Sequence, residues 1–172
     1  GGARMRWLGI LLGAVSLLLA GNSLALRLRE ETAQLRKVQQ LLVRVRREID
    51  VRRLPTGVLL RELADDPDYA EFPFLRETSR RFTGVSPPAA IWTEELARWK
   101  GLKRFPESRE ILKELGGILG SADGESQAAA LLLLEERLNR LLAAAEEKSA
   151  ADGRLCRSLG ALAGLLLAVL AI

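Results

Sequence analysis

Charged and apolar residues are separated along this chain, and the separation limits its possible folds more than any motif does. All 22 acidic residues lie between Glu30 and Asp152, and 24 of the 26 basic residues lie between Arg27 and Arg157. The middle of the chain therefore has a net charge of only +2, and both ends contain uncharged apolar runs. This pattern is typical of a membrane protein, because a soluble domain spreads its charges over the whole surface.

The two uncharged runs predict helices that cross a membrane. The first run, Trp7 to Leu26, has twenty residues. A helix of that length reaches about 30 Å, which matches the hydrocarbon core of a bilayer. The second run, Ser158 to Ile172, has fifteen residues and needs local thinning of the bilayer to cross. We therefore expect transmembrane segments over residues 1–26 and 158–172 and a separate domain over residues 27–157.

Basic residues next to these runs predict the orientation of the chain in the cell membrane. Arg27 and Arg29 follow the first run, and Arg157 precedes the second, so the positive-inside rule places the middle domain in the cytoplasm. An alternative is that the first run is a secretory signal, because Ser23-Leu24-Ala25 is similar to a small-x-small cleavage site. The bundle would then be an extracytoplasmic helical binding module.

Hydrophobic periodicity in the middle domain predicts an all-α fold. Leu28, Leu35, Leu42 and Ile49 recur every seven residues, which indicates a helix over residues 27–52 that continues from the first apolar run. A second periodic series indicates a last helix that begins after Ser121 and leads into the second apolar run; its members are Leu131, Leu134, Leu138, Leu141 and Ala145. We expect a cytoplasmic bundle of about six helices in which the first and last helices run antiparallel.

Pro and Gly residues divide the sequence between these two helices into shorter ones. One short helix covers residues 58–64, and the next has Phe72, Leu75, Ser79 and Phe82 on one face and stops at Gly84. Ser86 is predicted to cap the fourth helix, with Pro87 at its first position and an apolar side formed by Trp92, Leu96 and Trp99. The fifth helix is predicted over residues 106–119.

The composition argues against catalysis. The chain has no His and one Cys, Cys156, so it lacks the usual general base and the commonest metal ligand and cannot form an internal disulfide. Phosphate-binding, dinucleotide-binding and zinc-protease motifs are absent from the sequence. Acidic and basic residues are interleaved, which also argues against nucleic acid. We expect a protein without enzymatic activity, cofactor or small-molecule substrate.

The segment Glu114 to Asp123 contains two glycines inside a predicted helix. Gly116 and Gly117 each cost about 1 kcal/mol of helix stability relative to alanine. A helix tolerates this cost where another body must approach its backbone closely. The sequence leaves open whether that body is a neighbouring helix of the same chain or a partner protein.

The order of these features resembles the stage III sporulation protein AB family of endospore-forming bacteria. The resemblance begins at Met5 and covers nearly the whole chain. It is carried by an N-terminal apolar segment, an Arg-rich helix and a series of short motifs: Arg47-Glu48-Ile49, Ala90-Ile91-Trp92, Glu114-Leu115-Gly116, Leu119-Gly120-Ser121 with Asp123 and Gln127, and the tail Gly153 to Gly160. The chain departs from the family pattern at Arg47, where Thr is usual, and at Cys156, where Tyr is common.

The resemblance implies a role in a trans-envelope sporulation complex, in the mother-cell membrane around the forespore. It implies a platform that is similar to the inner-membrane platforms of type II secretion and type IV pilus machines. The expected partners are a secretion-type ATPase and other membrane components of the complex. The sequence leaves open whether the chain also forms a homo-oligomer. The candidate residues for partner contact are Glu114, Gly116, Gly120, Asp123, Gln127 and Arg157.

A third interpretation is a receptor-like sensor that uses its long first helix for signalling. The sensor requires a stable homodimer through Leu35, Leu42 and Ile49. The platform requires the same residues to pack within one chain. The burial of these side chains therefore discriminates between the two interpretations.

Overall fold

The computed structural model describes residues 2–120 and 124–170, and within those residues the secondary structure is entirely helical. The all-α fold class is confirmed. Ser121 and Asp123 lie outside the described residues, so the predicted cap of the last helix does too. The α-helices are α1 (Gly2–Arg47), α2 (Thr56–Asp65), α3 (Pro73–Arg81), α4 (Ala89–Arg98), α5 (Pro106–Ile118) and α6 (Gly124–Leu170).

The first helix ends close to its predicted boundary, but its last turn is widened. A π-helical segment, Glu48–Arg52, follows α1, and Arg53 then adopts a left-handed conformation with φ of 49°. The carbonyl of Glu48 accepts hydrogen bonds from the backbone N–H groups of Arg53 and Leu54. Pro55 lacks a backbone N–H and cannot continue the helix, so the chain turns here into α2.

The short helices form in the predicted order, with differences at α3 and α4. The fourth helix starts at Ala89 rather than Pro87, because a residue that precedes proline is disfavoured in the helical region and Pro87 precedes Pro88. Ser86 therefore does not cap it. The third helix ends at Arg81 and buries Thr78 rather than Ser79. The predicted face was counted from Phe72, which has non-helical backbone angles and precedes the helix.

The chain divides into two compact units. The bundle unit is Ala33–Ala143, and the terminal unit is Gly1–Thr32 together with Ala144–Ile172. Both borders lie inside the predicted middle domain of residues 27–157. The functional division into residues 1–26, 27–157 and 158–172 stays a prediction.

The periodic apolar residues of α1 form the centre of the bundle unit. Leu35, Val38, Leu42 and Val45 are fully buried within the chain. Ile49, in the π-helical segment, is half-buried. A homodimer through Leu35 and Leu42 would require the bundle to open, so the arrangement required by the sensor interpretation does not fit this structure.

Within the bundle unit, α1 and α6 run antiparallel, as predicted. Gln39 Nε2 donates to Asn139 Oδ1 at 2.6 Å, and Arg46 Nε donates to Glu135 Oε1 at 2.7 Å, so positions rise along α1 as they fall along α6. The hydrogen bond from Arg46 to the Glu135 carboxylate raises the pKa of the Arg46 guanidinium. The apolar face of α6 is confirmed apart from Leu141, which is half-buried while its neighbour is buried; the buried leucines are Leu131, Leu134, Leu138 and Leu142.

Aromatic side chains fill the space between the short helices. The ring centroids of Phe74 and Trp92 are 5.1 Å apart in an edge-to-face arrangement, and those of Phe72 and Trp99 are 5.4 Å apart. Trp92 is fully buried and donates its indole N–H to the carbonyl of Leu112 at 2.7 Å. The prediction that these aromatics belong to the core is confirmed, although Trp99 is only half-buried.

Many of the described apolar side chains of the terminal unit are exposed. Several leucines in the first half of α1 and the last part of α6 are more than half exposed: Leu8, Leu11, Leu12, Leu19, Leu159, Leu162, Leu165 and Leu166. Within the described residues, no helix is both long and apolar enough to cross a membrane. The two predicted spans are thus unsupported by the described residues, and the second run is also shorter than the usual twenty residues.

Candidate partner interface

Gly116 lies on the inner side of α5, where it makes room for the largest side chain of the core. A Cβ atom on Gly116 would be 2.3 Å from Cδ1 of Trp92, which is too close for any other residue without movement of the indole. The indole is fixed by its hydrogen bond to the Leu112 carbonyl, one turn earlier in α5. Gly116 is therefore explained by close packing inside the chain.

Gly117 differs from its neighbour because no contact within the described residues requires a glycine there. A Cβ atom there would meet no described atom within 4 Å, and the residue is exposed. No packing contact with the described residues compensates for the helix stability that is lost when glycine replaces alanine at this position. The sequence predicts two glycines inside this helix, but it does not show which of the two faces outward.

Three connecting segments meet at the end of the bundle unit where α5 stops. Thr56 Oγ1, at the start of α2, donates to the carbonyl of Leu119 at 2.8 Å. A Cβ atom on Gly57 would be 3.3 Å from Cε1 of Phe82, and one on Gly120 would be 2.9 Å from Cβ of Pro87. These contacts bring residues 51–57, 82–88 and 117–120 together, and we call this region the loop end of the bundle.

The loop end exposes apolar side chains that sequence periodicity did not indicate. Val51, in the π-helical segment, is 76% exposed, and Val85, next to Gly84, is 88% exposed. Gly84 has φ of 82°, which favours glycine and explains the tight turn after α3. Short π-helical segments are frequent at functional sites, which makes the segment that carries Val51 a candidate for partner contact.

Two polar contacts join the last part of α5 to α6, next to the loop end. Arg137 Nη1 donates to both carboxylate oxygens of Glu114 at 2.9 and 3.0 Å. This hydrogen bonding raises the pKa of the Arg137 guanidinium. Gln127 Nε2 donates to the carbonyl of Ile118 at 3.0 Å, which satisfies a backbone acceptor at the end of α5. Glu114 and Gln127 thus each have a contact inside the chain.

The predicted interface residues do not all come together. Glu114, Gly116, Gly120 and Gln127 lie in the bundle unit, at or next to the end of α5. Asp123 lies outside the described residues. Arg157 belongs to the terminal unit, where its Nε donates to the carbonyl of Gly153 at 3.2 Å. Contact between any of these residues and a partner stays a prediction.

The described surface has shallow depressions beside Arg44. Two shallow depressions of about 460 and 430 Å³ flank Arg44, which pairs with Asp66 and lies over the ring of Tyr69. Within the described residues, no group of three or more His, Cys, Asp or Glu side chains is positioned to hold a metal ion.

Comparison with known proteins identifies the family. No curated protein and no solved structure matches the chain. The sequence profile of the family described as stage III sporulation protein AB matches residues 6–172, which is nearly the whole chain and agrees with the resemblance noted from the sequence. The chain belongs to the stage III sporulation protein AB family.

Proposed function

We propose that this chain is a non-enzymatic component of a sporulation complex that attaches to a membrane through its apolar ends. The family supplies the role in sporulation. One observation carries the attachment: the helices α1 and α6, which form the bundle with buried leucines, also carry the exposed leucines of the terminal unit. Exposed apolar surface of this extent favours contact with lipid or with other membrane components.

In this proposal the bundle lies in the cytoplasm and couples a secretion-type ATPase to the membrane assembly. Helices that continue from the bundle to the attachment points can transmit a displacement, because a helix held by core packing moves as a rigid element. The basic residues next to the apolar runs support the cytoplasmic side. The loop end, with Val51 and Val85 exposed, supplies a surface for the partner.

A labelling experiment tests the location of the bundle. Lys103 is exposed, so Lys103→Cys in a Cys156→Ser background gives one reactive thiol on the bundle. An impermeant thiol reagent should label this thiol only after the cells are permeabilised, and carbonate should leave the chain in the membrane pellet. Labelling in intact cells would instead favour the extracytoplasmic binding module, and release by carbonate would contradict membrane attachment through the ends.

Charge reversal tests partner contact beside the end of α5. Glu114→Lys should reduce co-purification of the ATPase and lower spore yield. Because the substitution also breaks the ion pair with Arg137, the control is the exchange Glu114→Lys with Arg137→Glu, which restores that pair. A defect that persists in the exchanged variant indicates a lost partner contact. If the exchange restores spore yield fully, Glu114 acts only inside the chain.

A further inference from the structure

The segment between α4 and α5 concentrates positive charge on the surface of the bundle unit. We call residues 99–105 the basic loop. Its cations Lys100, Lys103 and Arg104 are all exposed, and none of them forms an ion pair with the described residues. No acidic residue occurs in this loop. The loop therefore carries three unneutralised positive charges within five positions.

The basic loop is held in one conformation by Arg109 of α5. The Arg109 guanidinium donates hydrogen bonds of 2.8 to 2.9 Å to the carbonyls of Leu96, Trp99 and Gly101. It also lies over the Trp99 ring, 5.8 Å from its centroid. A single half-buried cation thus fixes the backbone from the end of α4 to the middle of the loop, so the loop backbone needs little ordering before it binds a ligand.

A strained residue anchors the same loop. Leu102 has φ of 55°, a left-handed conformation that is unfavourable for a leucine, and its side chain is buried. Gly101 presses against the Trp99 ring, where a Cβ atom would be 2.1 Å from Cζ2. Burial of Leu102 holds the residues on both sides of it at the surface. Strain of this kind occurs where the local structure fixes functional side chains.

Contacts within the bundle unit place the basic loop at the end where α1 enters. Trp99 packs against Phe72. The adjacent Glu71 forms an ion pair of 2.9 Å with Lys37, which lies one turn after the entry of α1 at Ala33. The hydrogen bond between Gln39 and Asn139 brings α6 to the same end shortly before it leaves the bundle unit. The basic loop and the loop end therefore occupy opposite ends of the bundle unit.

We propose that the basic loop binds anionic phospholipid headgroups at the membrane to which the apolar ends attach. The inference rests on the proposed membrane attachment, and adds to it a surface that sets the position of the bundle. Both helices that lead to the exposed leucines leave the bundle unit at the end that carries Lys100, Lys103 and Arg104. Basic residues close to a membrane are attracted by the negative potential of anionic lipids.

The composition of the loop favours lipid over a protein partner. Protein interfaces depend on exposed aromatic or aliphatic anchors surrounded by polar residues. The basic loop offers no such anchor, because Leu102 is buried and Trp99 and Phe105 are half-buried. Its accessible chemistry is positive charge, which suits a surface of phosphate groups.

The test uses the full chain in vesicles, with a fluorophore at Lys100→Cys in the Cys156→Ser background. The vesicles are phosphatidylcholine alone or mixed with phosphatidylglycerol, and each contains a lipid with a quencher on its headgroup. We expect quenching in the mixed vesicles that high salt abolishes. The matched control is a fluorophore at Val85→Cys, which lies at the loop end and should not be quenched.

Neutralising the other two cations supplies the decisive comparison. K103Q/R104Q should lower the ratio of docked to undocked loop by roughly thirtyfold, whereas K103R/R104K should leave it unchanged. Equal quenching in phosphatidylcholine alone, or quenching that persists in K103Q/R104Q, would overturn the proposal. So would an unquenched loop in vesicles that retain the chain, since the membrane attachment then stands without headgroup binding. Loss of the chain from the vesicles would instead contradict the proposed function, on which this inference rests.

Discussion

Leu42 and Leu12 belong to the same helix, α1, but the first is fully buried and the second is 62% exposed. Both residues have the same helix propensity, so the helix itself does not distinguish them. The difference lies in what surrounds them: Leu42 is enclosed by the bundle unit, and Leu12 belongs to the terminal unit. One helix thus supplies both the core of a bundle and an apolar surface that is open to other molecules.

The two classes of leucine should contribute differently to folding. Burial of a leucine side chain contributes about 1.5–3 kcal/mol to the stability of the fold, and an exposed leucine contributes little. The exposed leucines instead lower the solubility of the free chain, and contact with lipid or protein relieves this. Stability and attachment can therefore be altered separately in α1.

The largest effect is expected for truncation of the buried leucine. Leu42→Ala should reduce the free energy of unfolding by about 3 kcal/mol, because it removes a fully buried side chain and leaves a cavity. Leu12→Ala should change it by less than about 0.5 kcal/mol. Urea unfolding of the full chain in detergent, followed by tryptophan fluorescence, measures both. Similar losses for the two variants would show that Leu12 is also part of a folded core.

The adjacent glycines of α5 repeat this contrast at the scale of one residue. Gly116→Ala should destabilise the bundle by about 2 kcal/mol, since the added methyl group would overlap the Trp92 indole. Gly117→Ala should stabilise it by up to about 1 kcal/mol, because the site is open and alanine is the better helix former. Thermal unfolding of the two variants decides the sign of each change.

Gly117→Ala also provides information on partner contact. If Gly117 is present because a partner approaches the helix closely, the more stable variant should give fewer spores than the wild-type chain. If spore yield is unchanged, the glycine has no role in binding. A lower spore yield could not then be explained by misfolding, because Gly117→Ala is expected to be more stable than the wild-type chain.

Periodicity predicted the long elements of this fold well. The heptad series of α1 identified the buried Leu35 and Leu42, and the apolar series of α6 identified most of the buried positions of that helix, because a helix with one buried face repeats its apolar residues regularly. The exception on α6 was Leu141, whose neighbour Leu142 is buried instead. Where two adjacent leucines lie near the edge of the apolar face, a small rotation of the helix about its axis determines which of them is buried. The sequence alone does not predict that rotation.

The candidate site was less predictable than the helices. The sequence indicated the glycine-rich corner, but not that Gly116 fits against Trp92, because the two residues are distant in sequence and belong to different helices. It also gave no sign of the π-helical segment at Glu48–Arg52, which exposes Val51. Such features depend on how the chain leaves a helix and on what it then meets.

The ion pair of Arg44 and Asp66 should make the stability of the bundle depend on acid. The backbone N–H of Asp68 and the guanidinium of Arg44 lower the pKa of the Asp66 carboxyl. The stabilisation is therefore complete above the unfolded-state pKa of about 3.9 and is lost as the pH falls through the lower folded-state pKa. Asp66→Asn should cost about 1 kcal/mol at neutral pH.

Unfolding measured from pH 7 to pH 2 checks this dependence. The difference in stability between the wild-type chain and Asp66→Asn should be constant above about pH 5 and should shrink below about pH 4. Asp65→Asn is the matched control, since Asp65 is an exposed neighbour on the same turn. A difference that stays constant down to pH 2 would show that the Asp66 carboxylate does not stabilise the fold.

The smallest effect concerns the backbone conformation of two exposed arginines. Neither the Arg53 nor the Arg61 side chain has an ion pair within the described residues, but Arg53 has φ of 49° and Arg61 lies within α2. Glycine adopts the left-handed conformation without the strain that arginine has there. This gain is partly offset because glycine also gives the unfolded chain more entropy, so Arg53→Gly should raise the free energy of unfolding by about 0.5 kcal/mol. Arg61→Gly should lower it by about 1 kcal/mol, because it places glycine inside a helix. Opposite signs in urea unfolding would show that backbone conformation, rather than lost charge, determines both changes. A loss of stability in both variants would mean that the arginine side chain at position 53 stabilises the turn after α1.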